Sequence, residues 1–125
     1  PHTSADKACT FQEAAFGISG LETALGSLMA LVHDGRLDIT TLVDRLTAGP
    51  AGVLNRPDLC LGTVKPGSPA DVTIFDPHAG WVVDTGRFVS KGKNTPLDGT
   101  TLRGRVVFTI VDGRVVYEDE TVKVG

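Results

Sequence analysis

The sequence predicts an α/β fold in which helices come first and a small antiparallel sheet follows. Two observations carry this prediction. Apolar residues recur at helical spacing between positions 21 and 32, and two β-branched runs flank Asp112-Gly113 near the end of the chain. At 125 residues, the chain amounts to one domain at most and is long enough to bury an aliphatic core.

The first predicted helix covers residues 19–34, SGLETALGSLMALVHD. Its apolar stripe consists of Leu21, Leu25, Leu28, Met29 and Val32. Ser19 is the expected N-cap, and Glu22 would complete a capping box three residues later. Gly35 is expected to close the helix in the left-handed conformation.

Two shorter helical segments are predicted next. The first covers Thr40–Thr47, with Leu42, Val43 and Leu46 on its apolar face, and Gly49-Pro50 is expected to break it. A helical turn over Pro50–Asn55 would then start with proline at its first position, where the missing N–H has no helical partner.

The second half of the chain is rich in β-branched residues. Asp71–Phe75 and Trp81–Val83 are predicted as two short strands, separated by a turn at residues 76–78. The run RVVFTIVDGRVVYED predicts a hairpin with a type I′ turn at Asp112-Gly113. A loop rich in Gly, Thr and Lys precedes it. Neither half is expected to form a complete core alone, because three or four short strands need a partner on their inner face.

Charge and cysteine content exclude several classes of function. The net charge is −3 and the two signs are interspersed, which argues against a nucleic-acid or anionic-membrane partner. The apolar runs are too short to span a bilayer, and no signal peptide is recognisable. Cys9 and Cys60 belong to no metal-binding motif and are interpreted as reduced thiols, with a disulfide or a metal pair as the alternative.

The residues alone do not form a complete catalytic constellation. His2, His33 and His78 share no metal-ligand spacing, no serine lies in a GxSxG motif, and the glycine-bearing stretches match no phosphate-binding loop. His33 is expected to cap helix carbonyls or to lie in solvent, and His78 to be exposed in a turn. Asp71 is interpreted as an Asx-turn or strand-start residue.

Four segments together resemble the dihydroorotases of the cyclic amidohydrolase superfamily, from residue 1 to about residue 118. PHTSADK fits the Pro-His-x4-Lys half of a family signature, and FGISGLETAL is similar to the Gly-x-x-Gly-x-Glu-Thr segment. LGTVKPGSPADVTIFD resembles the family's strand pair, and FVSKGKNTPLDGTTLRGRVVFTIVDGRVV resembles the Ser-Lys-x-x-Asn-Thr-Pro-x-x-Gly loop and the final hairpin. The first and last motifs narrow the resemblance to dihydroorotases or the related allantoinases.

This resemblance implies that the chain is the C-terminal fragment of a (β/α)8 amidohydrolase barrel plus strands of a small β-sandwich. Residues 1–57 would supply the last barrel loop and helices, and residues 58–125 the C-terminal strands of the composite sandwich. Pro1 would lie just past the catalytic loop of the last barrel strand. The zinc ligands and the catalytic aspartate would lie upstream, so no catalytic residue and no metal ligand is assigned in this chain.

By the same resemblance, the chain would contribute substrate-binding groups. His2 corresponds to the family histidine that binds the substrate carboxylate, and Phe16 and Gly17 correspond to a segment whose backbone meets the pyrimidine ring. Glycine allows such close approach of the main chain. In the alternative interpretation, His2 is a frayed terminal residue and Phe16 belongs to the core. Lys7 is expected to be a surface or structural ion-pair residue.

The resemblance implies a zinc-dependent, cytoplasmic dihydroorotase that interconverts N-carbamoyl-L-aspartate and (S)-dihydroorotate in de novo pyrimidine biosynthesis. The chain alone is expected to be inactive and to need the N-terminal remainder of the enzyme. A homodimer and aspartate transcarbamoylase are further candidate partners. The alternatives are a catalytically inactive dihydroorotase-like partner of aspartate transcarbamoylase, an allantoinase- or hydantoinase-type ring amidohydrolase, and an independent small binding module.

Overall fold

A computed structural model describes Thr3 and residues 5–121. Helices precede a three-stranded antiparallel sheet with strand order β1-β2-β3, as predicted. The elements are α1 (Ala24–His33), α2 (Ile39–Leu46), α3 (Ala48–Leu54), β1 (Val72–Val82), β2 (Thr101–Val111) and β3 (Arg114–Glu118), with short 3-10 turns at Ala5–Lys7, Pro57–Leu59 and Thr85–Arg87. Within the described residues, no helix is both long and apolar enough to cross a bilayer.

The first helix is shorter than predicted. It begins at Ala24 instead of residue 19, because residues 19–22 make contacts with a distant loop. Ser19 is not the N-cap: its N–H donates to the carbonyl of Asn94 at 2.6 Å. Glu22 does not complete a capping box either, and its carboxylate lies against that same loop. At the other end Gly35 adopts a φ of +69°, which confirms the predicted left-handed closure.

The second helix matches its prediction, but the third does not begin where expected. Asp38 caps α2 by accepting a 2.8 Å hydrogen bond from the N–H of Thr41. The break after α2 falls at Thr47, whose φ and ψ are −130° and −87°. Gly49 and Pro50 therefore lie inside the first turn of α3, where proline is tolerated because its missing N–H has no helical partner.

The two short strands predicted around positions 71–75 and 81–83 are one continuous strand, β1. The predicted turn at Asp76 is an irregularity within it: pairing with β2 shifts register between Asp76 and Gly80. Asp76 Oδ1 accepts hydrogen bonds from the N–H groups of His78 and Ala79 at 2.7 and 3.1 Å. An Asx-type turn thus replaces ladder bonds without ending the strand.

The predicted hairpin is confirmed. Asp112 and Gly113 have φ values of +50° and +73°, as a type I′ turn requires. Asp71 Oδ1 accepts a 2.8 Å hydrogen bond from the N–H of Asp112. The Asp71 side chain therefore connects the start of β1 to the hairpin turn. β2 begins at Thr101, several residues earlier than expected.

The core lies between α1 and the sheet, where two glycines permit close approach. A Cβ on Gly26 would lie 3.0 Å from Leu102 Cβ, and one on Gly104 would lie 2.6 Å from Met29 Cγ. The core is small, and its buried apolar side chains are Met29, Leu42, Val83, Phe88 and Val107.

The chain exposes more surface than a compact protein of its size. Its accessible area is 9078 Å², whereas a monomer of 13.1 kDa is expected to expose about 6,400 Å². Large apolar side chains contribute to the excess, including Phe16, Leu21, Val64, Val89 and Val116. Such exposure is typical of a polypeptide that packs against further structure.

Candidate functional site

A junction of three segments contains two of the residues predicted to meet substrate. The 3-10 turn Ala5–Lys7, the stretch 15–19 and the loop around Asn94 are joined there by hydrogen bonds. The N–H of Ala15 donates to the carbonyl of Asp6 at 3.4 Å. Residues about 80 positions apart in the sequence therefore meet at this point, which we call the Gly17 junction.

Lys7 binds carbonyl groups and not a carboxylate. Its Nζ donates to the carbonyl oxygens of Ala15 and Gly17, the latter at 2.8 Å. The expectation of a structural role for Lys7 therefore holds, but the ion pair is replaced by charge-assisted hydrogen bonds to the main chain.

Gly17 adopts the conformation that glycine favours. Its φ is +91°, a value that residues with a side chain rarely adopt. A Cβ at this position would meet no atom within 4 Å, so glycine is favoured by the backbone torsion and not by a lack of space. Its carbonyl also lies 3.4 Å from Asn94 Nδ2. Two side chains that lie far apart in the sequence, those of Lys7 and Asn94, thus direct donors at one carbonyl.

Phe16 is 92% exposed, so the interpretation of this residue as part of the core is wrong for the chain described here. Within the described residues, neither the N–H and C=O of Phe16 nor the N–H of Gly17 makes a hydrogen bond. An exposed aromatic ring therefore stands beside adjacent unpaired main-chain donors and acceptors. Such a segment can bind the amide edge of a planar ring.

A second contact fixes the loop next to this junction. The carboxylate of Glu22 accepts hydrogen bonds from the N–H groups of Val89 and Ser90 at 3.2 and 2.9 Å. Partial burial raises the pKa of Glu22, but the hydrogen bonds from Ser90 and Val89 and the charge of Lys93 outweigh it, so the pKa lies below its ordinary value. Lys93 in turn donates to the carbonyl of Phe88.

An open cleft of about 440 Å³ separates the two segments that Glu22 joins. Residues 18–22 line one side, and Phe88 and residues 90–92 line the other. Phe16 and Gly17 lie next to this cleft in the sequence and are not part of its lining.

The described residues offer no metal centre of their own. Within Thr3 and residues 5–121, no group of three or more His, Cys, Asp or Glu side chains could hold a metal ion. His33 is exposed, as one of its two expectations stated, and it does not cap its own helix. Its Nε2 lies 2.9 Å from the carbonyl oxygen of Pro77, which links α1 to the irregular part of β1. His78 is exposed as expected, and its ring centroid lies 5.7 Å from that of His33. Cys9 and Cys60 are exposed free thiols.

A buried ion pair lies on the sheet, away from the Gly17 junction. Arg105 Nε contacts the carboxylate of Asp119, whose side chain is 2% exposed, and the guanidinium lies 5.8 Å from the centroid of the Trp81 ring. Burial raises the pKa of Asp119, but hydrogen bonds from Thr121 and the charge of Arg105 lower it to below its ordinary value. Burial, and then the neighbouring Asp119 charge, raise the pKa of Tyr117. The cluster joins the sheet to the residues after β3.

Of the three predicted substrate-binding residues, the structure places Phe16 and Gly17 together at the junction. His2 lies outside the described residues, so its role stays a prediction. The sequence predicted a surface or ion-pair role for Lys7 and placed Asn94 in a family motif, but it did not predict that both side chains reach the Gly17 carbonyl. The motifs PHTSADK and KNTP contained these residues, but spacing along the chain could not show that they converge.

Comparisons with known proteins agree on one family. The model of a family described as "Amidohydrolase family" matches residues 18–117. A dihydroorotase from Syntrophus aciditrophicus (strain SB) is 48% identical over 120 residues, which cover 96% of this chain and 28% of that protein. A dihydroorotase from Geobacter metallireducens is 45% identical over 118 residues, which cover 94% of this chain and 27% of that protein.

Solved structures show the same pattern. An L-hydantoinase (dihydropyrimidinase) from Arthrobacter aurescens matches with a TM-score of 0.78 and 36% identity, over 90% of this chain and 25% of that one. A D-hydantoinase at 24% identity shares the fold with a TM-score of 0.71. The chain thus spans only about a quarter of the length of each of these proteins.

Proposed function

The chain belongs to the amidohydrolase family, and we propose that it is the carboxy-terminal part of a zinc-dependent dihydroorotase. The proposed reaction interconverts N-carbamoyl-L-aspartate and (S)-dihydroorotate in pyrimidine biosynthesis. The observation that carries this proposal is the 48% identity to a dihydroorotase along 96% of the chain. Residues 1–57 would then belong to the barrel and residues 58–125 to the sandwich.

In this proposal, the chain binds one edge of the substrate. A dihydropyrimidine ring presents N–H donors and C=O acceptors, which can pair with the N–H or C=O of Phe16 or with the N–H of Gly17, since none of these groups makes a hydrogen bond among the described residues. The exposed Phe16 side chain would cover a ring face. His2 would bind the substrate carboxylate, since an imidazole can donate a hydrogen bond and can carry charge near pH 7.

Zinc, when bound in the whole enzyme, would activate a water molecule for attack on the ring amide. The described residues do not fit this metal, because they contain no cluster of three ligands. We therefore derive no metal-dependent step from this chain, and we assign the ligands and the catalytic aspartate to the rest of the protein. The large exposed area supports such a division, because it leaves a broad apolar surface for that remainder to cover.

The full-length protein that contains this segment tests the proposal. We expect it to open dihydroorotate and to close N-carbamoyl-L-aspartate, to contain zinc, and to lose activity when a chelator removes the metal. The 125-residue chain alone is expected to be inactive and to restore activity when it is mixed with the remainder of the enzyme. Ring opening by this chain alone would contradict the assignment of roles.

Phe16→Ala in the full-length protein examines the proposed substrate edge. We expect KM for dihydroorotate to rise about tenfold, which corresponds to the loss of about 1.4 kcal/mol of binding. Val64→Ala is the matched control, because Val64 is also a strongly exposed apolar residue but lies outside the Gly17 junction. Equal effects of the two substitutions would argue against a substrate contact by Phe16.

A hydantoinase-type activity is the second candidate, because the L-hydantoinase matches with a TM-score of 0.78. Hydantoins and dihydropyrimidines both carry a cyclic amide, so the Phe16–Gly17 backbone suits either ring. Competition by orotate against each substrate separates the two activities. A zinc-loaded full-length protein that opens neither ring would instead favour an inactive partner of aspartate transcarbamoylase.

A further inference from the structure

We propose that Lys7 and Asn94 are positioning residues that hold the Gly17 carbonyl and thereby direct the Phe16–Gly17 backbone towards the substrate. The expected effect on KM rests on the proposed function. The contacts of Lys7 and Asn94 with the Gly17 carbonyl do not depend on it.

Lys7 supplies the stronger contact. Its ammonium group binds two carbonyls of one segment, those of Ala15 and Gly17, and so spans the residue between them. These carbonyls belong to the peptide groups between Ala15 and Phe16 and between Gly17 and Ile18, so fixing both restrains the Phe16–Gly17 peptide that lies between them. A charged donor makes a stronger hydrogen bond than a neutral one, so a single side chain can hold this short stretch.

Asn94 supplies the second restraint from a position 77 residues further along the chain than Gly17. Its side-chain Nδ2 lies 3.4 Å from the Gly17 oxygen, while its main-chain carbonyl accepts the 2.6 Å hydrogen bond from the N–H of Ser19. Asn94 thus contacts the segment on both sides of Ile18. The segment is held between the turn that carries Lys7 and the loop that carries Asn94.

The restraint matters because, apart from the contacts of Lys7 and Asn94, the hydrogen bond found on residues 15–19 within the described part of the chain is the 3.4 Å bond from the N–H of Ala15 to the carbonyl of Asp6. Gly17 has wide conformational freedom, and the Phe16 side chain is 92% exposed. With the Gly17 oxygen engaged by Lys7 and Asn94, the groups left for a ligand among the described residues include the N–H and C=O of Phe16 and the N–H of Gly17. Holding them before substrate arrives lowers the entropy lost on binding.

Kinetics of the full-length enzyme test the role. We expect Lys7→Met to raise KM for dihydroorotate about tenfold while kcat changes less than about threefold, because a charged hydrogen bond that preorganises the site is lost. Asn94→Ala is expected to give a smaller rise, since the bond from the N–H of Ser19 to the Asn94 main chain remains. Lys7→Arg should restore part of the affinity. Lys65→Met is the control, because Lys65 is exposed and its side chain makes no hydrogen bond among the described residues.

Hydrogen exchange separates this inference from the proposed function, because it needs no substrate. We expect the amides of Ala15 and Ser19 to exchange about tenfold faster in Lys7→Met than in Lys65→Met. Unchanged exchange, or a lower kcat with unchanged KM, would overturn the positioning role. If the parent enzyme opens no dihydroorotate, the proposed function fails, and faster exchange still supports the positioning role. Should Lys7→Met not fold, Lys7→Arg and Asn94→Ala provide the same two measurements.

Discussion

Substitution of Gly104 by alanine tests how α1 packs on the sheet. Gly104 lies in β2 with a φ of +99°, and an added Cβ would lie 2.6 Å from Met29 Cγ and 3.0 Å from Met29 Cβ. Real Cβ atoms do not approach other carbons this closely, so α1 would have to move away from β2. Met29 is 1% exposed and has no free space to occupy.

The magnitude follows from comparison with Gly113. Its φ is +73°, and a Cβ there would meet no atom within 4 Å. Both substitutions should lower the free energy of unfolding by about 1–2 kcal/mol, because alanine is strained at a positive φ. Only Gly104→Ala adds overpacking, which typically costs about 1–3 kcal/mol. Gly104→Ala should therefore destabilise the fold by about 1–3 kcal/mol more than Gly113→Ala.

Native-state hydrogen exchange of the β2 amides in the full-length protein measures this difference. The amides around Val107 should open about 5- to 140-fold more often in Gly104→Ala than in Gly113→Ala. The cost of Gly104→Ala should be smaller in a Met29→Ala background than in the parent, because that background lacks the Cγ atom at 2.6 Å, although the Cβ atom at 3.0 Å remains. Equal exchange in the two alanine variants would refute the close packing of α1 on β2.

Two further predictions concern acidic side chains. Asp119→Asn should destabilise the protein by about 1.5–3 kcal/mol, because it removes charged hydrogen bonds from a side chain that is 2% exposed. Urea unfolding measures this change, with the free energy of unfolding of Asp34→Asn as the control. The folded-state pKa of Asp119 lies below its ordinary value, so its contribution is present above about pH 4 and is lost as the pH falls through the lowered pKa. In Asp119→Asn, this part of the acid sensitivity should be absent, and an unchanged pH profile would contradict it. Glu22→Gln should speed amide exchange of Val89 and Ser90 several-fold, since the acceptor loses its charge; unaltered exchange would show that other contacts hold the loop.

Local patterns predicted much of the fold. The stripe around Met29 gave α1, the Asp112-Gly113 pair gave the hairpin, and Gly35 closed the first helix as expected. These features depend on residues within a few positions of one another, because helix periodicity and turn torsions are set by near neighbours.

Two of the errors share one cause, which is competition from distant partners. Ser19 and Glu22 form a plausible capping box, but Asn94 and Ser90 bind them instead, so α1 begins later. The predicted turn at Asp76 does form, because the Asp76 carboxylate accepts a hydrogen bond from the N–H of His78. Pairing with β2 nevertheless continues on both sides of this turn, so the two predicted strands are one strand. Tertiary contacts overrode local preference at both places.

The sequence predicted which residues belong to the candidate site, but it did not predict how they are arranged in space. Motif resemblance selected Phe16 and Gly17, and the structure adds that Lys7 and Asn94 converge on the Gly17 carbonyl. Phe16 is 92% exposed within this chain, so it is not part of the core that these residues form, and burial depends on what packs against a residue.

By itself, the sequence determined the order of helices and strands, the hairpin turn and the motifs that resemble one family. Only the tertiary structure decided where α1 begins, that β1 is continuous, and which groups hold the Gly17 segment. The physical reason is the distance along the chain: Asn94 and Gly17 are 77 positions apart. Spacing rules describe hydrogen bonds between near neighbours, whereas a contact across that separation exists only once the chain has folded.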